Sequence, residues 1–71
     1  MDVRKVFVER FNEIMDCSPL SYAQLAKKLG ITKATMSMYK HGKAVPSLET
    51  FSAMCEYLDV SADFLLGKKE L

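Results

Sequence analysis

Apolar side chains recur at intervals of three and four residues along most of the chain, which is the period of an amphipathic helix. The first such run spans residues 3–17, and its apolar members are Val3, Val6, Phe7, Phe11, Ile14 and Met15. Ser18-Pro19 ends it, because proline disfavours the helical conformation in the residue before it. The pattern therefore predicts a first amphipathic helix over residues 3–17.

Two shorter helices are predicted next, with a glycine between them. Ser21 is a suitable N-cap for the first of them, and Gly30 supplies its left-handed C-cap. Its apolar residues are Leu25, Ala26 and Leu29. Thr32 is the candidate N-cap of the next helix, residues 33–40, which Gly42 closes. The residues expected to face inward from that helix are Met36 and Tyr39.

A fourth and a fifth helix complete the pattern. Ser47 is the predicted N-cap of the fourth helix, whose apolar residues are expected to be buried: Leu48, Phe51, Met54, Cys55 and Leu58. Ser61 is the predicted N-cap of a short fifth helix over residues 62–66, which ends at Gly67. The tail, residues 68–71, is expected to be frayed.

Length and composition agree with one small helical domain. The chain has 71 residues, of which 49% are apolar, and no strand, repeat or linker pattern interrupts the helices. A chain of this size has room for one domain, residues 1–71, and little room for a deep catalytic cleft as well. The predicted fold class is all-α, with five short helices around one core.

The sequence carries no pattern for export or membrane insertion. No apolar run approaches the ~20 residues of a membrane span. Charged residues also interrupt the N-terminal segment, where a signal peptide would need an apolar stretch. The two cysteines are 38 positions apart and form no disulfide framework. A reduced, cytoplasmic location is the expectation.

The small net charge of +1 conceals a strong asymmetry. Residues 17–48 hold five lysines and no acid, whereas residues 1–16 carry a net charge of −1 and residues 49–71 a net charge of −3. A lysine-rich stretch without carboxylates suits a surface that faces a polyanion such as nucleic acid, although a solvated lysine face is the commoner explanation. Charge alone leaves both open.

Residues 21–40 form the most informative unit. Two helices of about eight residues, joined by Leu29-Gly30-Ile31-Thr32, have the spacing of a helix-turn-helix. Ala26 is small enough to let the next helix approach closely, and Ile31 is placed to enter the core. Thr32 caps the third helix, so that its amino end can face a phosphate or a base edge.

Taken as a whole, the chain closely resembles the lambda-repressor-like Cro/cI-type (XRE) family of helix-turn-helix DNA-binding proteins, over about residues 10–67. The pieces that carry the resemblance keep their mutual spacing: Leu20-Ser21, Gln24 to Thr32, Thr35-Met36-Ser37, Gly42-Lys43, Pro46 to Thr50 and Leu58 to Gly67. The resemblance implies a five-helix fold whose third helix enters the major groove of double-stranded DNA. A homodimer on a two-fold site is expected, because a monomer this small makes few base contacts.

The resemblance implies DNA-contacting roles for ten residues. Those expected at the bases are Lys33, Ala34, Met38, Thr32 and Ser37. Those expected at phosphates are Tyr22, Thr35, Lys40, His41 and Lys43. All ten lie in the helix-turn-helix or directly after it, so the expected DNA surface is continuous.

Several positions depart from the family pattern. Tyr22 stands where many members have glutamine, and its hydroxyl can still donate to a phosphate oxygen. Met15 and Lys40 replace a frequent arginine–glutamate pair, which leaves no orphaned acid and directs Lys40 outward toward phosphate. Met38 stands where a polar base-contacting residue is common. Direct readout therefore rests mainly on Lys33, and we expect modest sequence selectivity with a contribution from DNA shape.

No catalytic, metal or cofactor site is predicted. His41 is the chain's one histidine and has no second metal ligand nearby, and Cys17 and Cys55 lack the spacing of a metal or redox motif. The outward-facing acids belong to different helices and suggest no acid/base pair: Glu9, Glu13, Glu56 and Asp63. An enzyme is therefore the least favoured class.

Two functions stay open. The first is a cytoplasmic transcriptional regulator, a repressor of phage or mobile-element type, that occupies an operator. The second is a protein-interaction module on the same fold, such as an antitoxin bound to a toxin protein, which the near-neutral charge and the apolar Met38 favour. The apolar excess at Val3, Val6 and Val8 is either core packing or part of a self-association surface.

Overall fold

The computed structural model describes residues 2–70 and contains five helices and, over those residues, no strand. The helices are α1 Val3–Cys17, α2 Tyr22–Leu29, α3 Lys33–Lys40, α4 Leu48–Leu58 and α5 Ala62–Leu65. The predicted all-α, five-helix fold is confirmed, although α5 ends one residue earlier than expected because Leu66 forms its C-cap. None of these helices has both the length and the apolar content needed to cross a bilayer.

Side-chain caps determine where the helices begin. Ser21 Oγ accepts from the amide of Gln24 at 3.1 Å, while Gln24 Oε1 accepts from the amide of Ser21 at 2.9 Å, which is a reciprocal capping box. Three more hydroxyls each accept from the amide three residues later: Thr32, Ser47 and Ser61. These bonds satisfy amides that have no intrahelical partner, so each cap specifies a start position.

One hydrophobic core lies between the helices, with α1 packed on α3 and α5, and α2 packed on α3 and α4. Its buried residues are Phe7, Phe11, Met15, Leu25, Ala26, Met36, Tyr39, Met54, Phe64 and Leu65. Phe7 stacks on Phe11 with 5.5 Å between ring centroids. Phe51 meets Phe7 edge-on, and Tyr22 meets Phe11 edge-on, each at 6.0 Å. This aromatic cluster joins α1 to both α2 and α4.

The prediction that Leu48 is buried is wrong. Its side chain is 80% exposed, whereas the other apolar residues predicted in the core from α4 are partly or fully buried. Leu48 is the first residue of α4 and lies one turn before Phe51, whose ring packs on Phe7 of α1. Helical periodicity identifies the face that points inward, but not how far the neighbouring helix extends to cover it.

The expectation of a frayed tail is also wrong for residues 68–70. Arg10 Nη1 donates to the carbonyl oxygens of Phe64 at 2.9 Å and Lys69 at 2.7 Å, and Nη2 pairs with Glu70 at 3.3 Å. The guanidinium also lies 4.6 Å from the centroid of the Phe64 ring. One arginine of α1 therefore holds the segment after α5, and only the last residue of the predicted tail lies outside the described residues.

Candidate nucleic-acid interface

Helix α3 is held by one face and exposed on the other. Met36 and Tyr39 are buried in the core. Its candidate base-contacting residues all lie at the surface: Lys33, Ala34, Ser37 and Met38. These positions are spaced by one, three and four residues, so they share one side of the helix. The core thus anchors α3 while a continuous face of it meets solvent.

The amino end of α3 is capped and exposed. Thr32 Oγ1 accepts from the Thr35 amide at 3.0 Å, and the Thr32 hydroxyl donates to Thr35 Oγ1, also at 3.0 Å. This arrangement leaves the Thr35 hydroxyl proton available to an outside acceptor. No acid occupies the first turn of α3. The helix dipole and the Lys33 ammonium therefore both favour an anion at this end.

Five of the predicted site residues line one shallow depression between the start of α2 and α3: Tyr22, Lys33, Ser37, Lys40 and His41. Ala23 contributes to the wall of this α2–α3 depression, and its small side chain was not indicated by any sequence pattern. Two ammonium groups, two hydroxyls and an imidazole converge here. Of these groups, the two ammonium groups are the donors that suit a phosphate group directly.

A polar network across three helices supports the rim of the α2–α3 depression. Asn12 of α1 accepts at Oδ1 from the Tyr22 hydroxyl at 2.7 Å and donates from Nδ2 to the Lys40 carbonyl at 3.0 Å. The Lys40 ammonium lies over the Tyr22 ring, 4.5 Å from its centroid. One amide thus connects the start of α2 to the end of α3. No sequence pattern indicates Asn12, because its partners are 10 and 28 residues away.

The Tyr22 hydroxyl is protonated, and its proton is already donated to Asn12. Burial raises the pKa of Tyr22 above its ordinary value of 10.0, and the negative charge of Asp16 raises it further. The hydroxyl is therefore neutral at physiological pH and donates to Asn12. In this arrangement it can only accept a second hydrogen bond, so the predicted donation to a phosphate requires exchange of the Asn12 bond.

His41 lies at the end of the α2–α3 depression. Its Nδ1 is 2.9 Å from the Ser37 carbonyl oxygen, which can only accept, so Nδ1 carries a proton. The other ring nitrogen, Nε2, can then donate to an anion only when the ring is positively charged. The contact predicted between His41 and a phosphate is therefore one that protonation controls.

Backbone contacts determine where Lys43 follows α3. Its amide donates to the Met38 carbonyl at 2.8 Å, which closes the helix end. Gly42 adopts φ +74°, and a Cβ atom at this position would lie 3.2 Å from Cγ2 of Val8. Glycine therefore fits this turn against α1 where a larger residue is crowded and strained. The exposed Lys43 side chain leaves directly after it.

The lysines of residues 17–48 do not all gather at this site. Lys33 and Lys40 line the α2–α3 depression, whereas Lys28 lies over the Tyr57 ring of α4, 5.6 Å from its centroid. Among the described residues none of these lysines makes an ion pair with an acid. The positive charge beside α3 is thus available to an external anion.

The chain is similar to known helix-turn-helix regulators. A helix-turn-helix family model matches residues 20–65. An SPbeta prophage-derived HTH-type transcriptional regulator of Bacillus subtilis, YonR, is 38% identical over 61 residues, which cover 86% of this chain and 56% of that protein. The HTH-type transcriptional activator BcrR of Enterococcus faecalis is 28% identical over 65 residues, 92% of this chain and 32% of that protein. The chain therefore spans about half the length of YonR and about a third of BcrR.

One solved structure has the same fold. The solution structure of the SOS-response transcriptional repressor LexA from Eubacterium rectale superposes with a TM-score of 0.86, over 97% of this chain and 73% of that chain. The two sequences are 23% identical. At that identity the likeness establishes the arrangement of the helices, and the exposed face of α3 carries the functional argument.

Proposed function

Because the chain belongs to the XRE-type helix-turn-helix family, we propose that it is a sequence-specific transcriptional regulator that inserts α3 into the major groove of double-stranded DNA. The observation that carries this proposal is the exposed face of α3, with its capped amino end and two lysines beside it. The protein acts as a homodimer on a two-fold site. Its proposed place of action is the cytoplasm.

Lys33 is the principal base-contacting residue in this proposal. Its ammonium leaves the first turn of α3 and suits the O6 and N7 acceptors of guanine in the major groove. Thr32 and Ser37 supply hydroxyl groups, whereas Ala34 and Met38 can only make apolar contact with a thymine methyl. With one charged donor per monomer, base discrimination is modest and DNA shape contributes to selectivity.

Phosphate contacts come from residues that flank the base-contacting face. Lys40 and Lys43 supply positive charge. The Thr35 hydroxyl accepts from Thr32, so its own proton can be donated to a phosphate. His41 adds a contact when its ring is protonated. Tyr22 supports the Lys40 ammonium with its ring. Such contacts fix the register of a protein on the duplex and carry no sequence information themselves.

The regulatory effect we propose is repression of the phage or mobile-element type, by occupation of an operator. The prophage origin of YonR supports this assignment. A promoter reporter tests whether the protein represses or activates transcription. Supplying the protein lowers reporter expression if it is a repressor and raises it if it is an activator, as the name of BcrR describes that relative.

Selection of bound duplexes from a random pool at fixed salt tests the DNA-binding proposal. We expect enrichment of a palindrome whose half-site centres are about 34 Å apart, one helical turn. Lys33→Ala and Lys40→Glu are each expected to weaken binding by roughly tenfold or more. Lys68→Ala and Lys68→Glu, which change an exposed lysine of the C-terminal segment, are the matched controls and leave binding unchanged. A folded wild-type chain that enriches no duplex at low salt contradicts the proposal.

A protein-interaction module, such as an antitoxin bound to a toxin, is the second candidate. Met38 favours it, because this side chain is 42% exposed on α3 and offers no hydrogen-bond donor to a base. Under this alternative the folded chain does not bind DNA at low salt. It instead binds the product of a neighbouring reading frame, and replacement of Met38 by a charged residue weakens that complex.

A further inference from the structure

An apolar groove lies beside the loop between α3 and α4. Its walls come from α1, that loop, α4 and the segment after α5, through Val3, Phe7, Val45, Phe51 and Leu66. Leu48 stands at its edge with 80% of its side chain exposed, and Val3 and Val45 are 43% and 41% exposed. This surface, the Leu48 groove, is defined by these residues.

The Leu48 side chain does not contribute to the packing of the folded chain. It is the most exposed large apolar side chain of the described residues and takes no part in their core. A lone exposed leucine is ordinary, but here three exposed apolar side chains line one groove. A contiguous apolar surface of that kind is typical of an interaction site.

We propose that the Leu48 groove is the interface between two copies of this chain related by a two-fold axis. A two-fold interface joins a surface to itself, so that surface must carry both a projection and the cavity that receives it. The Leu48 groove carries both, because Leu48 projects at the edge of an apolar cavity. Each copy inserts its Leu48 into the groove of the other.

Charges at the edge of the groove fit the same arrangement. Arg4 lines the groove, and Glu49 follows Leu48 in the first turn of α4. Both are exposed, and neither forms an ion pair with another residue in the range 2–70. Insertion of Leu48 brings Glu49 of one copy toward Arg4 of the other, and the two-fold axis makes this contact twice.

The position of the groove suits a DNA-bound dimer. The proposed interface rests on the proposed function and names the surface through which that homodimer forms. Val45 lies two residues after Lys43, so the interface begins where the proposed phosphate contacts end. No residue of α3 lines the groove. Pairing through it therefore leaves both copies of α3 uncovered, as two half-sites on one duplex require.

Sedimentation equilibrium of the wild-type chain without DNA tests the inference, over concentrations from about 10 µM to about 1 mM. We expect the weight-average mass to rise from 8.0 kDa toward twice that value. Leu48→Gln is expected to raise the dimer dissociation constant by roughly tenfold or more, because it makes the projecting group polar. Tyr57→Gln is the matched control, since Tyr57 is a 47% exposed apolar residue of α4 outside the groove.

A charge exchange tests the two-fold arrangement. Arg4→Glu and Glu49→Arg are each expected to weaken the dimer, and the double variant is expected to restore it, with circular dichroism showing that all variants are folded. A wild-type chain that stays monomeric, a Leu48→Gln variant that dimerises like wild type, or a double variant as weak as the single ones overturns the inference. The mass is measured without DNA, so a failure to bind DNA contradicts the proposed function alone.

Discussion

Among the residues proposed to contact phosphate, Lys40 is held by contacts to both its side chain and its backbone. A lysine side chain that becomes ordered on binding loses up to about 2 kcal/mol of rotamer entropy. Here the ammonium already lies 4.5 Å from the centroid of the Tyr22 ring, while Asn12 binds the backbone carbonyl of the same lysine. A cation–π contact at an exposed site contributes about 0.5–1 kcal/mol. Part of the ordering of Lys40 therefore precedes DNA binding.

A double-mutant cycle checks whether Asn12 acts on DNA affinity through Lys40. Asn12→Ala removes the bonds to the Tyr22 hydroxyl and the Lys40 carbonyl, and we expect it to weaken DNA binding roughly fivefold, about 1 kcal/mol. In a Lys40→Ala background the same change is expected to have little further effect. The measurement is the dissociation constant of a fixed duplex at one salt concentration.

Lys43 provides the control for that cycle. It lies outside the Asn12 hydrogen bonds, so the effects of Asn12→Ala and Lys43→Ala are expected to add within about 0.5 kcal/mol. A general loss of stability would instead weaken binding equally in both backgrounds. Equal losses in the Lys40→Ala and Lys43→Ala backgrounds would show that Asn12 supports the fold and not Lys40.

The candidate site shows which assignments a sequence can support. The exposed face of α3 follows from helical periodicity and from the Thr32 cap, so the surface positions of Lys33 and Ser37 were predictable. The role of Asn12 was not, because it depends on three helices meeting at one amide. For the same reason the sequence did not indicate that the Tyr22 proton is already bound.

Helix boundaries were the most predictable elements of the fold. Each predicted serine or threonine cap bonds the amide three residues later, so local chemistry alone specifies the starts of α2 to α5. The exposure of Leu48 and the contacts by which Arg10 holds the tail were not predictable in this way. Both depend on which element lies next to another in space, and periodicity carries no information about that.

Gly30, in the turn between α2 and α3, allows backbone strain to be tested separately from side-chain contacts. It adopts φ +71°, and a Cβ atom added there would meet no other atom within 4 Å. Gly30→Ala is therefore expected to lower the free energy of unfolding by about 1 kcal/mol, through the left-handed conformation alone. Urea denaturation followed by circular dichroism measures this change.

Asp59 is the matched position at the end of α4, because it adopts the same left-handed conformation without being glycine, at φ +52°. Asp59→Gly relieves strain in the folded state and adds entropy to the unfolded state, so its net effect is expected to be close to zero or stabilising. Destabilisation by Asp59→Gly as large as that by Gly30→Ala would show that contacts of the Asp59 side chain, and not the backbone conformation, dominate at the end of α4.

Across the whole molecule, the two regions on either side of residues 17–48 are net negative. Arg10, in the first of them, is occupied by carbonyl oxygens of the C-terminal segment and by Glu70. Glu70 is largely solvent-exposed, so that ion pair itself contributes little stability, and the carbonyl contacts carry most of the effect. The positive charge that a polyanion can meet is therefore concentrated in the lysines of residues 17–48.

This concentration of charge gives a prediction for the salt dependence of DNA binding. Lys40 and Lys43 are the lysines proposed to contact phosphate, so a dimer neutralises about four phosphates, and the slope of log K against log salt concentration is expected to be about −3.6, at roughly −0.9 per phosphate. Lys40→Ala and Lys43→Ala each remove two phosphate contacts from the dimer and are expected to reduce the steepness by about 1.8. Lys33→Ala, at a base, lowers affinity and relaxes sequence preference with less effect on the slope. Equal slopes for all three variants would contradict this division between base and phosphate contacts, because a lysine that neutralises no phosphate releases no counterion on binding.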